Sequence, residues 1–156
     1  MAVNKQPIFT GTPILTCGIA VYTDFSTFDP SAAATNSVTI FTAAAAEGTL
    51  IERITITPMA TYNGSYNNIT EKVIYLLVKD DSAGKTSILK TKKWSSVNLS
   101  SQFIELPYWE ITFQGGLLLQ SADSILINQV KGNGNPADDN GDGLTWVVEG
   151  STYAAQ

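Results

Sequence analysis

The residue pattern with the best-defined chemistry lies near the C-terminus, where Asp138-Asp139-Asn140-Gly141-Asp142-Gly143 is followed by five residues and then Glu149. This spacing fits the calcium-loop pattern, in which oxygen ligands stand at alternate positions and glycine permits a sharp turn. If the loop binds Ca²⁺, the ligands are Asp138, Asn140 and Asp142. However, the predicted strand Leu144–Val148 would carry Glu149 roughly 20 Å from the loop. We therefore favour the alternative, a polar hairpin loop that holds no metal.

A second candidate site combines carboxylates with aromatic side chains. Glu105 and Glu110 flank Pro107-Tyr108-Trp109. Paired carboxylates beside aromatic rings are typical of glycosidases, and exposed aromatic rings alone can stack on sugars. The alternative interpretation is that the tryptophans fill the core of a small β domain while both glutamates face water. We favour core packing, and we keep sugar binding through an exposed Trp94 or Trp109 as an alternative hypothesis.

The residue types that are absent exclude several classes of function. The chain has 156 residues with no histidine and a single cysteine, Cys17, so it lacks His-based nucleophile pairs, histidine metal ligands and an internal disulfide. Its net charge of −5 disfavours binding to nucleic acid. A membrane-spanning helix needs about 20 consecutive apolar residues, and no apolar segment of this sequence comes close to that length. We expect a protein that is not an enzyme, has no cofactor, and binds neither nucleic acid nor membrane.

Short runs rich in Val, Ile, Thr and aromatic residues recur along the chain, separated by Gly, Asn, Asp and Ser. No long segment shows the apolar spacing of an amphipathic helix. Tight turns are predicted at Asn63-Gly64 and Asp80–Gly84. The pattern predicts an all-β fold, an antiparallel β-sandwich or jelly roll formed by a single domain, 14–156. The predicted strands are Thr16–Tyr22, Val38–Thr42, Ile51–Thr57, Lys72–Lys79, Ser87–Lys93, Phe103–Leu106, Ile111–Phe113, Leu117–Leu119, Ile125–Val130 and Leu144–Glu149.

The first thirteen residues differ from the rest of the chain. Pro7 and Pro13 flank Ile8-Phe9, and proline cannot donate to a sheet ladder, so 1–13 is predicted to be an extended N-terminal arm. Such an arm frays unless something holds it. Packing on its own domain and contact with a neighbouring subunit are both open. The candidate interface residues are Pro7, Ile8, Phe9 and Pro13.

Charge is unevenly distributed, with six lysines in one predicted hairpin and a group of acidic residues near the C-terminus. Complementary potentials could orient such a subunit against a protein partner. The alternative is that the lysines protect a solvated edge strand. As a candidate docking surface we select Lys90, Lys92 and Lys93.

Several segments together resemble the small virion structural proteins of tailed bacteriophages, in the capsid decoration or auxiliary class. The segments are Pro7–Pro13, Phe41-Thr42-Ala43, Glu47-Gly48-Thr49 into Ile51–Ile56, Trp109–Phe113, Gly115–Leu119 and Ala122–Ile125. The resemblance implies a non-enzymatic β-sandwich that assembles, often as trimers, on the outer capsid surface. Its partners would be other copies of itself and the major capsid protein, in a virion assembled in the host cytoplasm.

We therefore expect a capsid decoration protein that stabilises the phage head by bridging neighbouring capsid subunits. A receptor- or glycan-binding β module of a head or tail fibre is the alternative function. The two hypotheses differ in what must be exposed, because a glycan-binding module needs accessible aromatic rings.

Overall fold

The computed structural model describes residues 11–21, 24–25, 28–29, 32–33, 35–44, 47–59, 61–62, 67–69, 71–99, 107–130 and 143–154. Within these ranges the regular elements are eleven β-strands. They are β1 (Thr12–Val21), β2 (Val38–Thr42), β3 (Glu47–Pro58), β4 (Thr61–Tyr62), β5 (Asn67–Ile69), β6 (Lys72–Asp80), β7 (Lys85–Trp94), β8 (Val97–Leu99), β9 (Trp109–Leu119), β10 (Ser124–Val130) and β11 (Gly143–Ala154).

Two four-stranded antiparallel sheets pack face to face and confirm the predicted all-β sandwich. Sheet A has the strand order β1-β11-β3-β9, and sheet B has the order β2-β10-β6-β7. A small third sheet joins β4, β5 and β8. The sequence did not predict these three strands, because runs of two or three residues are too short to show a period.

The core between the two sheets follows the alternation in the sequence. On β3, Ile54 and Ile56 are fully buried, whereas Thr55 and Arg53 point to the outer face. Facing them from sheet B, Leu76 of β6 is equally buried. This is the expected pattern for a strand with one buried and one outward face.

The centre of sheet B is covered on both faces, and every residue of β10 is buried. Its outer face holds a second, smaller cluster in which Ala33 packs against Leu77 and Leu126. The Phe28 ring stacks on Tyr75 with centroids 4.2 Å apart. This covering explains why the sequence of β6 is apolar on both sides.

One prediction about the strands was wrong. Ile111–Phe113 and Leu117–Leu119 are not separate strands but parts of the single strand β9. Gly115 and Gly116 both have a φ of +81°, and the pairing of β9 with β3 shifts at this point. A bulge therefore inserts extra residues without ending the strand.

The predicted Asp80–Gly84 turn is confirmed and joins β6 to β7. Gly84 has a φ of +62°, which glycine adopts at little cost. The Asp80 carboxylate accepts hydrogen bonds from the Ala83 N–H at 2.8 Å and the Ser82 hydroxyl at 2.7 Å. The predicted turn at Asn63-Gly64 and the predicted strand Phe103–Leu106 lie outside the described residues.

Candidate association surface on sheet A

Strand β1 forms one edge of sheet A. Its neighbour in the sheet is β11, and the register runs without interruption from Thr12 opposite Thr152 to Val21 opposite Gly143. Odd-numbered residues of β1 point away from the core, and even-numbered ones point toward it. The outward row consists of Leu15, Cys17, Ile19 and Val21, which we call the β1 patch. All four side chains are exposed, Leu15 by 73% and Ile19 by 58%.

The inward side of β1 anchors the strand to the sandwich. Ala20 is buried, and Gly18 lies opposite Trp146 of β11. A Cβ atom added to Gly18 would come within 2.8 Å of Cε2 in the Trp146 ring, so the ring occupies the space that a side chain would need. The indole thus packs directly on the β1 backbone and holds the β1 patch at the surface.

Next to the β1 patch, the outer face of sheet A carries three charged side chains, an arginine that lies between two glutamates. Arg53 donates two hydrogen bonds to Glu149, one from Nη2 to Oε1 at 2.9 Å and one from Nε to Oε2. Glu110 Oε2 lies 3.7 Å from Arg53 Nη1. The hydrogen bond from Arg53 lowers the pKa of Glu149, and the same contact raises the pKa of Arg53. Since β1 contains no charged residue, the β1 patch borders these ions but is itself uncharged.

The exposed large apolar side chains are concentrated on this sheet. Among the described residues, three of the six are in the β1 patch: Leu15, Ile19 and Val21. Leu118 on β9 also belongs to sheet A, whereas Ile88 lies on β7 of sheet B. A contiguous exposed apolar row on a small protein is typical of an interaction surface.

The three predicted docking lysines are all on β7, the edge of sheet B, but they do not share one face. Lys90 and Lys92 lie opposite the core-facing residues of β6, and Lys93 lies opposite Val73 on the other side. Lys90 Nζ is 5.8 Å from the centroid of the Phe113 ring, and Lys93 Nζ is 3.0 Å from Glu71 Oε1. Their role in docking stays a prediction.

Two other predicted sites fall outside the described residues. The first is the set of proposed calcium ligands, Asp138, Asn140 and Asp142. The second consists of three of the four candidate interface residues of the arm, Pro7, Ile8 and Phe9. Pro13 is described and lies within β1, exposed, where an edge strand tolerates its missing N–H. Within the described ranges, no three His, Cys, Asp or Glu side chains come together in a way that could hold a metal ion.

The aromatic residues divide between core and surface. Trp94 and Trp146 are buried, and Trp109 is half-buried against the same core. Core packing of the tryptophans is thus confirmed, and Trp94 does not offer a ring face to a sugar. Tyr108, 57% exposed, is the one exposed aromatic side chain among those whose burial the structure describes. Glu110 is exposed, whereas Glu105 lies outside the described residues.

Sequence reasoning missed the β1 patch. The run Ile14–Val21 is rich in apolar residues on both sides of the strand, which is also the pattern of a strand buried on both faces. The one available signal was the absence of charge over ten residues. The absence of charge cannot distinguish a buried strand from an exposed strand that binds a partner.

Comparison with protein-family models found no match, and comparison with curated proteins found none either. In the part of the chain that the structure describes, no helix has the length and apolar character needed to cross a membrane.

Proposed function

We propose that this chain is a non-enzymatic virion structural protein, a capsid decoration protein that stabilises a phage head by bridging neighbouring capsid subunits. The resemblance supplies the class of protein, and the β1 patch supplies the contact surface. The observation that carries the proposal is the uncharged row formed by Leu15, Ile19 and Val21 on the open face of sheet A. An exposed apolar surface of this kind stabilises an assembly when a partner protein covers it.

The energetics suit a protein that acts in many copies. Burying an exposed Leu or Ile side chain contributes about 1–2 kcal/mol at these degrees of exposure. A single β1 patch therefore supports only weak binding. Linking several patches in one oligomer raises the effective affinity by orders of magnitude without any new type of contact. Self-association and capsid binding would thus reinforce each other.

The proposed partners are other copies of this chain and the major capsid protein. The proposed location is the virion, assembled in the host cytoplasm. The arm predicted at 1–13, whose last two residues lie in β1, is a second proposed contact, and the lysines of β7 are a third. The trimer implied by the resemblance stays a prediction.

A capsid-binding assay tests the proposal. Purified heads stripped of decoration protein are mixed with the wild type or with the double variant Leu15→Lys/Ile19→Lys, and bound protein is measured after sedimentation. We expect the double variant to lose at least tenfold in apparent affinity, because two ammonium groups would have to be desolvated at the contact. Leu118→Lys is the control, since Leu118 is also an exposed apolar strand residue of sheet A but lies on β9, outside the β1 patch and the β7 lysines.

The result is decisive only if both proteins are folded, so their melting temperatures are compared first. Equal occupancy of the heads by the wild type and the double variant would contradict the β1 patch as the contact surface. Failure of the wild type itself to bind would contradict the capsid function.

The receptor- or glycan-binding module remains the second candidate, and one observation favours it. Tyr108 presents an exposed ring at the start of β9, next to the half-buried Trp109. Stacking on a sugar requires such an accessible face.

A further inference from the structure

The four edges of the sandwich are protected to very different degrees. A free edge strand exposes unpaired N–H and C=O groups, and proteins block it by shortening the strand, adding charges or introducing bulges. Three edges use these devices. Strand β2 has five residues and a register shift; β7 carries four lysines and a register shift; β9 carries Glu110 and the Gly115-Gly116 bulge.

Among the residues that the structure describes, nothing comparable protects the remaining edge, β1, along most of its length. It is ten residues long, it contains no charged residue, and its register with β11 has no bulge. Pro13 near its beginning is its one blocking residue. The other three edge strands of this molecule are protected against pairing. The open β1 edge is therefore best explained by another β-strand that pairs with it.

Two observations show which backbone groups of β1 face the open edge. The Val21 N–H donates to Asp24 Oδ2 at 2.8 Å, so it is not directed at Gly143, its neighbour on β11. Pro13, eight residues earlier and so of the same parity, has no N–H to offer. Because backbone direction alternates along a strand, the odd-numbered residues between them, Leu15, Cys17 and Ile19, direct their N–H and C=O groups to the open edge.

We propose that β1 pairs antiparallel with β1 of a second copy, about a two-fold axis at Cys17. The pairing would join two four-stranded sheets into one eight-stranded sheet. This inference rests on the proposed function only in treating β1 as an association surface. A two-fold contact is isologous, so one strand must be complementary to itself.

The register centred on Cys17 meets that requirement. It places Leu15 opposite Ile19 of the second copy, and Cys17 opposite Cys17. It also places Pro13, which lacks an N–H, opposite Val21, whose N–H is already bonded to Asp24. Both ends of the new ladder therefore stop where a donor is missing, and the residues between them supply about six hydrogen bonds. That number lies within the usual range for a protein interface.

Pairing would also enlarge the outward apolar surface. With a two-fold axis perpendicular to the sheet, the outer faces of the two copies become continuous. The two β1 patches then lie side by side as one uncharged strip at the centre of the eight-stranded sheet. Such a strip would present both copies to one partner at once.

Disulfide formation by the full chain in solution, without capsids, tests the proposal. Directly opposed residues in a hydrogen-bonded antiparallel pair have Cα atoms about 5.5 Å apart, which is within disulfide range. Under mild oxidation we expect the wild type to form a Cys17–Cys17 dimer. The control is Leu15→Cys/Cys17→Ser, whose thiol is at a position that is also exposed but would stand four residues out of register with its copy.

We expect the control to cross-link at least tenfold more slowly than the wild type. The variant Leu15→Cys/Cys17→Ser/Ile19→Cys should restore fast cross-linking, because Cys at 15 would face Cys at 19 of the second copy. The unoxidised protein should have the mass of a dimer or a multiple of it by sedimentation equilibrium. Equal cross-linking rates for the wild type and the control, or a monomeric or trimeric mass, would overturn the pairing.

This experiment separates the inference from the proposed function. A monomer that decorates capsids would refute the β1 pairing and leave the capsid function standing. A Cys17-linked dimer that binds no capsid would support the β1 pairing and refute the capsid function.

Discussion

The indole of Trp146 lies across the backbone of Gly18, its cross-strand neighbour, and occupies the space of the side chain that Gly18 lacks. This contact ties the exposed β1 strand to the core. We predict that Gly18→Ala lowers the free energy of unfolding by about 1–3 kcal/mol, because the added methyl group must displace the ring. Urea denaturation monitored by tryptophan fluorescence would measure the change.

Gly48→Ala is the matched control for that prediction. Gly48 lies in β3 of the same sheet, and the nearest atom to an added Cβ is 3.8 Å away, an ordinary contact distance. Its stability should be unchanged or slightly raised. Similar losses for both alanine variants would show that the Trp146 contact has no special role.

The Asp80 turn should make stability depend on pH. The hydrogen bond from the Ala83 N–H, followed by that from the Ser82 hydroxyl, lowers the pKa of Asp80. A folded-state pKa below the unfolded one means that the contribution is present at neutral pH and is lost as the pH falls through the folded value. We predict that Asp80→Asn is less stable than the wild type at pH 7, and that the difference shrinks below the ordinary carboxyl pKa of about 3.9.

Glu52→Gln controls for the general effect of removing a negative charge, since Glu52 is an exposed carboxylate on β3. Urea denaturation at several pH values gives both comparisons. A difference between Asp80→Asn and the wild type that stays constant with pH would contradict the assignment.

Asp123 connects two turns that are distant in sequence. Its Oδ1 accepts a hydrogen bond from the Asp81 N–H at 3.0 Å, and its Oδ2 accepts one from the Gln120 N–H at 2.9 Å. Asp123→Ala removes both acceptors and should cost about 1–3 kcal/mol. Asp123→Asn keeps one acceptor and should cost less. Thermal melts of the two variants measure this order, and the reverse order would refute the bridging role.

Trp94 and Tyr108 should respond in opposite ways to truncation. Trp94 is buried, so Trp94→Ala should lower stability by about 3–5 kcal/mol. Tyr108→Ala, at an exposed position, should change it by less than about 0.5 kcal/mol. Glycan-array binding that disappears in the folded Tyr108→Ala variant would support the receptor-binding alternative, whereas absence of binding by the wild type would count against it.

The arm hypothesis is tested by a deletion that spares β1. Because Thr12 pairs with Thr152, the deletion should end before the strand and remove only residues 2–10. We predict a folded protein whose melting temperature is close to that of the full chain but which no longer binds capsids. Full occupancy of capsids by the shortened protein would contradict a role for the arm.

The local features of the fold could be predicted from the sequence alone. The alternation of Ile54 and Ile56 with Arg53 and Thr55 defined β3 and its buried face, and the Asp80–Gly84 turn defined a hairpin. These features depend on neighbours within a few residues, so their physical causes are visible in the sequence. The conformation at the paired glycines of β9 was harder to predict, because a positive φ suits both a turn and a bulge. Only the pairing of β9 with β3 distinguishes a bulge from a turn.

The residue pattern alone predicted that this chain forms strands and that Ile14–Val21 is an uncharged, apolar-rich run. It did not predict that this run lies at the edge of a sheet and exposes Leu15 and Ile19. The exposure of a strand depends on which strands lie on either side of it, and these come from distant parts of the chain. Strand β11, more than a hundred residues further along the chain, pairs with β1 on one side and β3 on the other, and no local pattern specifies that order.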